Sequence, residues 1–121
     1  MHPFRLTAAA LVAAVLVAPT AASAATPIKV SEKEFKISGL PATLKHGVKY
    51  TITVSNKGKY PHDLLFDGKK VHDVGIHNKH AVAAGASASF SVTFPVAGSY
   101  EFYCAIKGHA AKGMKGKLKV T

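Results

Sequence analysis

The sequence contains no tryptophan and a single cysteine, Cys104, among its 121 residues. One cysteine excludes an intramolecular disulfide. Aromatic residues make up only 8% of the chain, which leaves mainly Val, Ile, Leu and Phe to fill that core. The hydrophobic fraction of 48% is too high for a disordered basic tail. The length is that of one domain.

Arginine is nearly absent, although the chain is strongly basic. Lys and Arg together number 16 against 6 Asp and Glu, a formal charge of +10, and Arg5 is the only arginine. Arginine usually recognises phosphates and guanine edges, so we expect no nucleic-acid partner. The lysine excess either keeps the surface hydrated or steers the protein toward an acidic partner, and the sequence leaves both readings open.

The longest apolar run lies near the N terminus and is too short to span a bilayer. Residues 1–24 are typical of a secretory signal peptide. Arg5 supplies the positive charge before the apolar run, and Ala22-Ser23-Ala24 forms a small-residue cleavage site. We therefore expect a protein exported to the periplasm or secreted after cleavage near Ala24, without stable membrane insertion. The mature domain would be residues 25–121.

Apolar and polar residues alternate along the mature chain, with no sustained helical period. The clearest alternation covers residues 48–54, 90–94, 100–104 and 117–120, and turn residues separate these segments. About seven or eight short strands predict an all-β fold, an antiparallel β-sandwich. Residues 67–87 lack the pattern, and we predict a loop with one helical turn there.

Cysteine, histidine and methionine recur at a fixed spacing near the C terminus. Cys104, His109 and Met114 form the pattern C-x4-H-x4-M, and glycines within it allow a tight loop. A thiolate, an imidazole and a thioether are ligands of copper sites with a weak axial thioether. His62, at the start of a short apolar run, is the best candidate for the missing ligand. The pattern predicts a site for one copper ion, which zinc could also enter. The plainer alternative is a buried inert cysteine, a surface histidine and a core methionine.

Three segments of the sequence resemble the small blue-copper proteins, the cupredoxins of the plastocyanin/azurin type. The resemblance extends from about Ala25 to Thr121, with a ligand-loop spacing similar to that of rusticyanin-like members. Its strongest parts are Tyr60-Pro61-His62-Asp63-Leu64, residues 98–104 with the following Gly-His pair, and Gly113-Met114-Lys115-Gly116.

The resemblance implies a Greek-key β-sandwich that carries single electrons by cycling between Cu(I) and Cu(II). It implies His62, Cys104 and His109 as equatorial copper ligands and Met114 as the axial ligand. We accordingly expect a monomeric carrier and no enzymatic activity. The partner would be a redox protein, with an acidic docking surface because this chain is basic.

Two neighbours of the ligands depart from the family pattern. Asp63 stands where many members have Asn, and Ala105 stands where many have Ser or Thr. An ionised carboxylate accepts hydrogen bonds but donates none, and alanine has no hydroxyl. The usual side-chain bond between the two ligand segments is therefore in doubt. A backbone N–H of Asp63 could still donate to the Cys104 sulfur.

Two surfaces are candidates for electron entry. His109 is followed by Ala110 and Ala111, and such small neighbours would leave its ring edge near the surface, unless they are ordinary tight-loop residues. The resemblance suggests Tyr103 as a second port, because it adjoins Cys104 and should point outward. In the sequence, only Glu101 is an acidic residue close to this tyrosine.

The remaining polar clusters leave alternatives open. His72, His77 and His80 would form a weak second metal site, which favours a copper storage or delivery protein, or they are exposed loop residues. A third class, a subunit of a redox enzyme, would require another chain. Glu32 and Glu34 alternate on a predicted strand, and we expect both to face solvent.

Overall fold

The computed structural model describes residues 3, 9–15 and 24–121. Arg5 and most of the predicted cleavage motif before Ala24 lie outside these residues, so the signal peptide stays a prediction. Within the described ranges, the chain has no helix that is both long and apolar enough to cross a membrane.

Short strands account for nearly all regular structure in the described part of the chain. They are β1 (Thr26–Lys33), β2 (Lys36–Ser38), β3 (Thr43–Leu44), β4 (Lys49–Asn56), β5 (Leu64–Gly68), β6 (Val71–Ile76), β7 (Ser87–Thr93), β8 (Gly98–Tyr103) and β9 (Lys115–Val120). Two short 3₁₀ helices span Asn78–His80 and Ala110–Lys112.

The strands form two sheets, in the orders β2-β1-β4-β7 and β3-β9-β8-β5-β6. The predicted all-β sandwich is confirmed, with nine strands in the described residues, but the prediction that all its strands pair antiparallel is wrong. Each sheet is mixed, because β1 pairs with β4 and β3 pairs with β9 in parallel. Alternation in a sequence assigns the two faces of a strand but says nothing about the direction of its neighbour, so it left these parallel pairs undetected.

Strand β6 occupies part of the segment that we predicted as a loop, whereas the predicted helical turn is present at Asn78–His80. Asp73 has a φ of 49° and Gly75 a φ of 145°, so the strand is irregular and its side chains do not alternate. A Cβ at Gly75 would lie 2.1 Å from the carbonyl oxygen of Leu64, so only glycine lets these two strands approach this closely.

The core lies between the two sheets and is built on the inward positions of each strand. In β4, Tyr50, Ile52 and Val54 are buried at alternate positions, as the sequence pattern predicts. Edge-to-face packing joins Phe94 to Tyr100, with ring centroids 4.9 Å apart. This packed interior gives the loops at the sheet ends a rigid support.

Candidate metal centre

The five-stranded sheet brings distant parts of the chain to one end. β5 and β9 both pair antiparallel with β8, so the start of β5, the end of β8 and the start of β9 adjoin. His62 comes just before β5, Cys104 directly follows β8, and Met114 directly precedes β9. Sheet register, rather than sequence proximity, therefore places His62 beside the C-terminal loop.

Three of the four predicted ligands form a compact cluster. His62, Cys104 and His109 each offer a ligand atom, and these atoms lie within 4.8 Å of one another. The two Nδ1 atoms are 3.2 Å apart, and Cys104 Sγ lies 3.6 Å from His109 Nδ1. No other such trio of His, Cys, Asp or Glu occurs within residues 24–121 or the described part before them.

Burial differs among the four predicted ligands. His62, Cys104 and Met114 have no exposed surface, whereas His109 is half-buried. Three of the predicted ligands are therefore shielded from water, and only the His109 imidazole reaches the surface. The arrangement excludes solvent from the sulfur donors while leaving one ligand accessible to another molecule.

The loop from Cys104 to Met114 is closed by its own backbone. The Cys104 N–H donates to the Met114 carbonyl over 3.0 Å, and the Met114 N–H donates to the His109 carbonyl over 3.1 Å. The His109 N–H in turn donates to Ile106, also over 3.0 Å. These bonds fix where each ligand leaves the backbone before any metal binds.

Asn56 holds the segment that carries His62. Its side-chain Nδ2 donates to the carbonyls of Tyr60 and Val82, over 2.7 and 2.8 Å, and its Oδ1 accepts from the Gly58 N–H. His62 and Val82 exchange two further backbone hydrogen bonds. No local pattern in the sequence distinguishes this asparagine, so its positioning role was missed.

The two ligand segments are joined directly, which answers the doubt raised by their sequences. Asp63 Oδ1 accepts a hydrogen bond of 2.5 Å from the backbone N–H of Ala105. The Asp63 N–H donates to Cys104 Sγ over 3.5 Å, as we anticipated. The bond between the segments therefore needs no hydroxyl at Ala105, because the main chain supplies the donor.

The electrostatics favour neutral ligands until a cation arrives. Burial raises the pKa of the Cys104 thiol to about 11, against a smaller lowering by the N–H groups of Asp63 and Ile106. Burial also lowers the pKa of His62. A metal ion must therefore displace the thiol proton when it binds. Two imidazoles, a thiolate and a thioether form a soft donor set that fits copper.

The β1–β2 turn contacts both histidine ligands, contrary to expectation. Glu34 Oε1 lies 3.2 Å from His62 Nε2, and the Phe35 ring packs edge-on against His109 at 5.3 Å. Glu32 is fully buried, so its predicted exposure is wrong. The alternation did place Glu32 and Glu34 on one face, but nothing in the sequence showed that the metal centre covers that face.

Tyr103 lies beside more acidic groups than the sequence suggested. Its hydroxyl donates to Asp73 Oδ1, which raises the pKa of the phenol to about 12. Asp67 pairs in register with Glu101 on the adjacent strand. Three carboxylates thus surround this tyrosine, because folding brings β5 and β6 next to β8.

The predicted second histidine cluster is not assembled in the described residues. His72, His77 and His80 are exposed, and they do not appear together in a group of adjacent metal-ligating atoms. His72 instead lies 3.4 Å from Asp67. The geometry gives these three histidines no shared ion.

Similarity to known proteins also indicates a copper site. The model of the family described as copper binding proteins, plastocyanin/azurin family, matches residues 24–121. Plastocyanin of Daucus carota is 38% identical over 73 residues, covering 58% of this chain and 73% of the carrot protein. Chloroplastic plastocyanin of Physcomitrium patens is 32% identical over 106 residues, covering 83% of this chain but only 60% of the moss protein.

Solved structures show the same fold. Na-dithionite reduced auracyanin from the photosynthetic bacterium Roseiflexus castenholzii superposes with a TM-score of 0.63 at 21% identity, covering 81% of this chain and 98% of that one. The McoA multicopper oxidase of Aquifex aeolicus gives a TM-score of 0.66 at 14% identity, but this chain spans only 26% of it. The described chain thus corresponds to a single sandwich domain.

Proposed function

The chain belongs to the plastocyanin/azurin family of copper binding proteins, and on that basis we propose that it is a mononuclear carrier of single electrons. We propose His62, Cys104, His109 and Met114 as the ligands of one copper ion. Copper in such a site supplies a one-electron couple between Cu(I) and Cu(II). The observation that carries the proposal is the meeting of two imidazoles and the only thiol within 4.8 Å.

The chain's own contribution is a site that does not rearrange. The hydrogen-bonded loop sets the positions of Cys104, His109 and Met114 from one side. Asn56 and Asp63 set the position of His62 from the other. Cu(I) and Cu(II) prefer different geometries, so a rigid ligand set reduces the movement needed for each electron. Burial of the sulfur ligands also keeps water from a coordination position.

We place the main route for electrons at His109. It is the one proposed ligand with exposed surface, and the exposed Ala111 and half-buried Ala110 leave room for a partner to approach. Tyr103 would serve as a second port, since it is covalently joined to Cys104 and half-buried. The three carboxylates near Tyr103 would favour a basic partner there, whereas the surplus of lysine over the whole chain favours an acidic one at His109.

The compartment and partner complete the proposal. We propose that residues 1–24 direct export to the periplasm or the cell exterior and are then removed, leaving residues 25–121. The carrier would act as a monomer between redox proteins outside the cytoplasm. We propose that it is a carrier and not an enzyme, since its one proposed metal centre would serve electron transfer.

A copper titration followed by a self-exchange measurement tests this function. We expect one tight copper per chain, an intense visible thiolate band, and rapid electron self-exchange between mixed Cu(I) and Cu(II) samples, measured by NMR line broadening. More than one tight copper per chain, or one copper with negligible self-exchange, would contradict the carrier and support storage or delivery.

A further inference from the structure

Glu34 contacts His62 of the metal centre, and no pattern in the sequence predicted this contact. Its carboxylate Oε1 lies 3.2 Å from Nε2 of His62, on the opposite side of the imidazole from Nδ1, the atom that faces His109. His62 is fully buried, and its Nε2 makes no aligned hydrogen bond in the described residues; the Glu34 carboxylate, 3.2 Å away, is the acidic group that lies against it. The carboxylate thus lies within reach of this nitrogen.

The chemistry of a metal-bound imidazole explains why this nitrogen needs an acceptor. When Nδ1 gives its lone pair to a metal, the remaining proton must reside on Nε2. A buried N–H without an acceptor costs on the order of 1–3 kcal/mol. A carboxylate in that position fixes the tautomer and the ring orientation, and it makes the ligand nitrogen a stronger donor.

Glu34 is itself held rigidly. Its Oε1 accepts the backbone N–H groups of Lys59 and Tyr60, over 2.7 and 2.8 Å. Gly58 faces the same carboxylate so closely that an added Cβ would lie 2.5 Å from Oε1 and 2.6 Å from Oε2. A side chain at position 58 would displace the carboxylate, so the turn before His62 is shaped around Glu34.

We propose that Glu34 is a positioning residue of the metal centre: it holds the Nε2 side of the His62 ring so that Nδ1 is presented to the metal, and its negative charge favours Cu(II) over Cu(I). The inference rests on the proposed function. A negative charge next to a ligand stabilises the more positive oxidation state, so Glu34 lowers the reduction potential. Its side chain is 21% exposed, so water screens the charge only in part.

The test compares Glu34→Gln with Glu101→Gln, each loaded with copper. Glutamine keeps an oxygen that can accept from Lys59, Tyr60 and His62 but carries no charge. Glu101 is an exposed carboxylate on β8, so its replacement removes the same charge from a position in solvent. We expect Glu34→Gln to raise the Cu(I) to Cu(II) affinity ratio about tenfold, which is about 59 mV for a one-electron couple. We expect Glu101→Gln to change it by less than about twofold.

A second measurement requires neither a reduction potential nor an activity. In the protein loaded with Cu(I) or Zn(II), both diamagnetic, the His62 Nε2–H should give a slowly exchanging NMR signal that moves in Glu34→Gln and is lost in Glu34→Ala. An unchanged potential in Glu34→Gln, or a rapidly exchanging His62 Nε2–H in the unmodified protein, would overturn the inference. The proposed function fails separately, by the absence of the copper–thiolate band in the unmodified protein.

Discussion

The carboxylate of Asp63 accepts a hydrogen bond of 2.5 Å from the backbone N–H of Ala105, and it thereby joins the two chain segments that carry the proposed ligands. One ligand segment precedes β5 and the other follows β8. The strand pairing already brings these two segments together, and this bond holds them where they leave the sheet. Its loss should affect stability and metal affinity together.

Asp63→Ala should lower the free energy of unfolding by about 1–3 kcal/mol, because it leaves a half-buried N–H without an acceptor. Metal affinity should fall about 10–100-fold, the usual effect of removing a group that orients a ligand. Denaturant unfolding and competitive copper titration measure the two quantities. Asp63→Asn retains Oδ1 and is the matched control, expected to lose less than half as much in each. Equal losses in both variants would show that the charge, rather than the bond, matters.

Asn56→Ala should weaken the segment before His62. It removes the donors to Tyr60 and Val82 and the acceptor for Gly58, and the bond to Val82 is buried. We expect a loss of about 2–4 kcal/mol of unfolding free energy and weaker copper binding. Ser55→Ala is the control, since its hydroxyl bonds only an exposed serine and should contribute a few tenths of a kcal/mol. Calorimetry gives the melting temperatures of both variants, and we expect that of Asn56→Ala to be clearly lower. Similar melting temperatures would refute the role of Asn56.

The buried carboxyl of Glu32 should make the free energy of unfolding depend on pH. Burial raises the pKa of this carboxyl from 4.5 to about 8, with a further contribution from the nearby Asp63. Between these pH values the folded protein retains a proton that the unfolded chain has released, so stability falls as pH rises, by up to about 1.4 kcal/mol for each pH unit. Above pH 8 the loss from this group levels off.

Glu32→Gln should remove that slope, because the amide does not ionise. Denaturant unfolding of both metal-loaded proteins at several pH values between 4.5 and 8 gives the difference directly. The variant should gain stability relative to the unmodified protein as pH rises. A constant difference across this range would show that Glu32 keeps its proton, or loses it, in both states alike.

Met114→Gln tests the proposed axial ligand. A thioether is a soft donor that suits Cu(I), whereas an amide oxygen is harder and suits Cu(II). The variant should keep its thiolate colour and show a lower reduction potential. Voltammetry of the unmodified and variant proteins measures the shift. An unchanged potential would place Met114 in the core without a role as a ligand.

Most of the predicted copper ligands could be identified from the sequence because they lie close together in it. Cys104, His109 and Met114 share one loop, and rare residue types at fixed spacing are conspicuous. The alternation of β4 and β8 predicted the sandwich because burial on one face imposes a period of two. His62 needed an inference beyond spacing, and the structure places it against the loop.

The groups that support the ligands could not be predicted in the same way. Glu34 and Asn56 reach His62 through folding of β1, β4 and the following turn, and no local pattern encodes that approach. β6 was missed because Asp73 and Gly75 interrupt its alternation. The acids around Tyr103 lie on strands that are neighbours only in the folded sheet.

The copper–thiolate bond is tested most directly by the absorption spectrum of Cys104→Ser after addition of Cu(II), beside that of the unmodified protein. The serine variant keeps both imidazoles and the thioether but lacks the sulfur that would bind as a thiolate. If Cys104 binds copper as a thiolate, the unmodified protein shows an intense visible band at one copper per chain and the variant shows no such band. The same band in both proteins, or in neither, would contradict thiolate binding by Cys104.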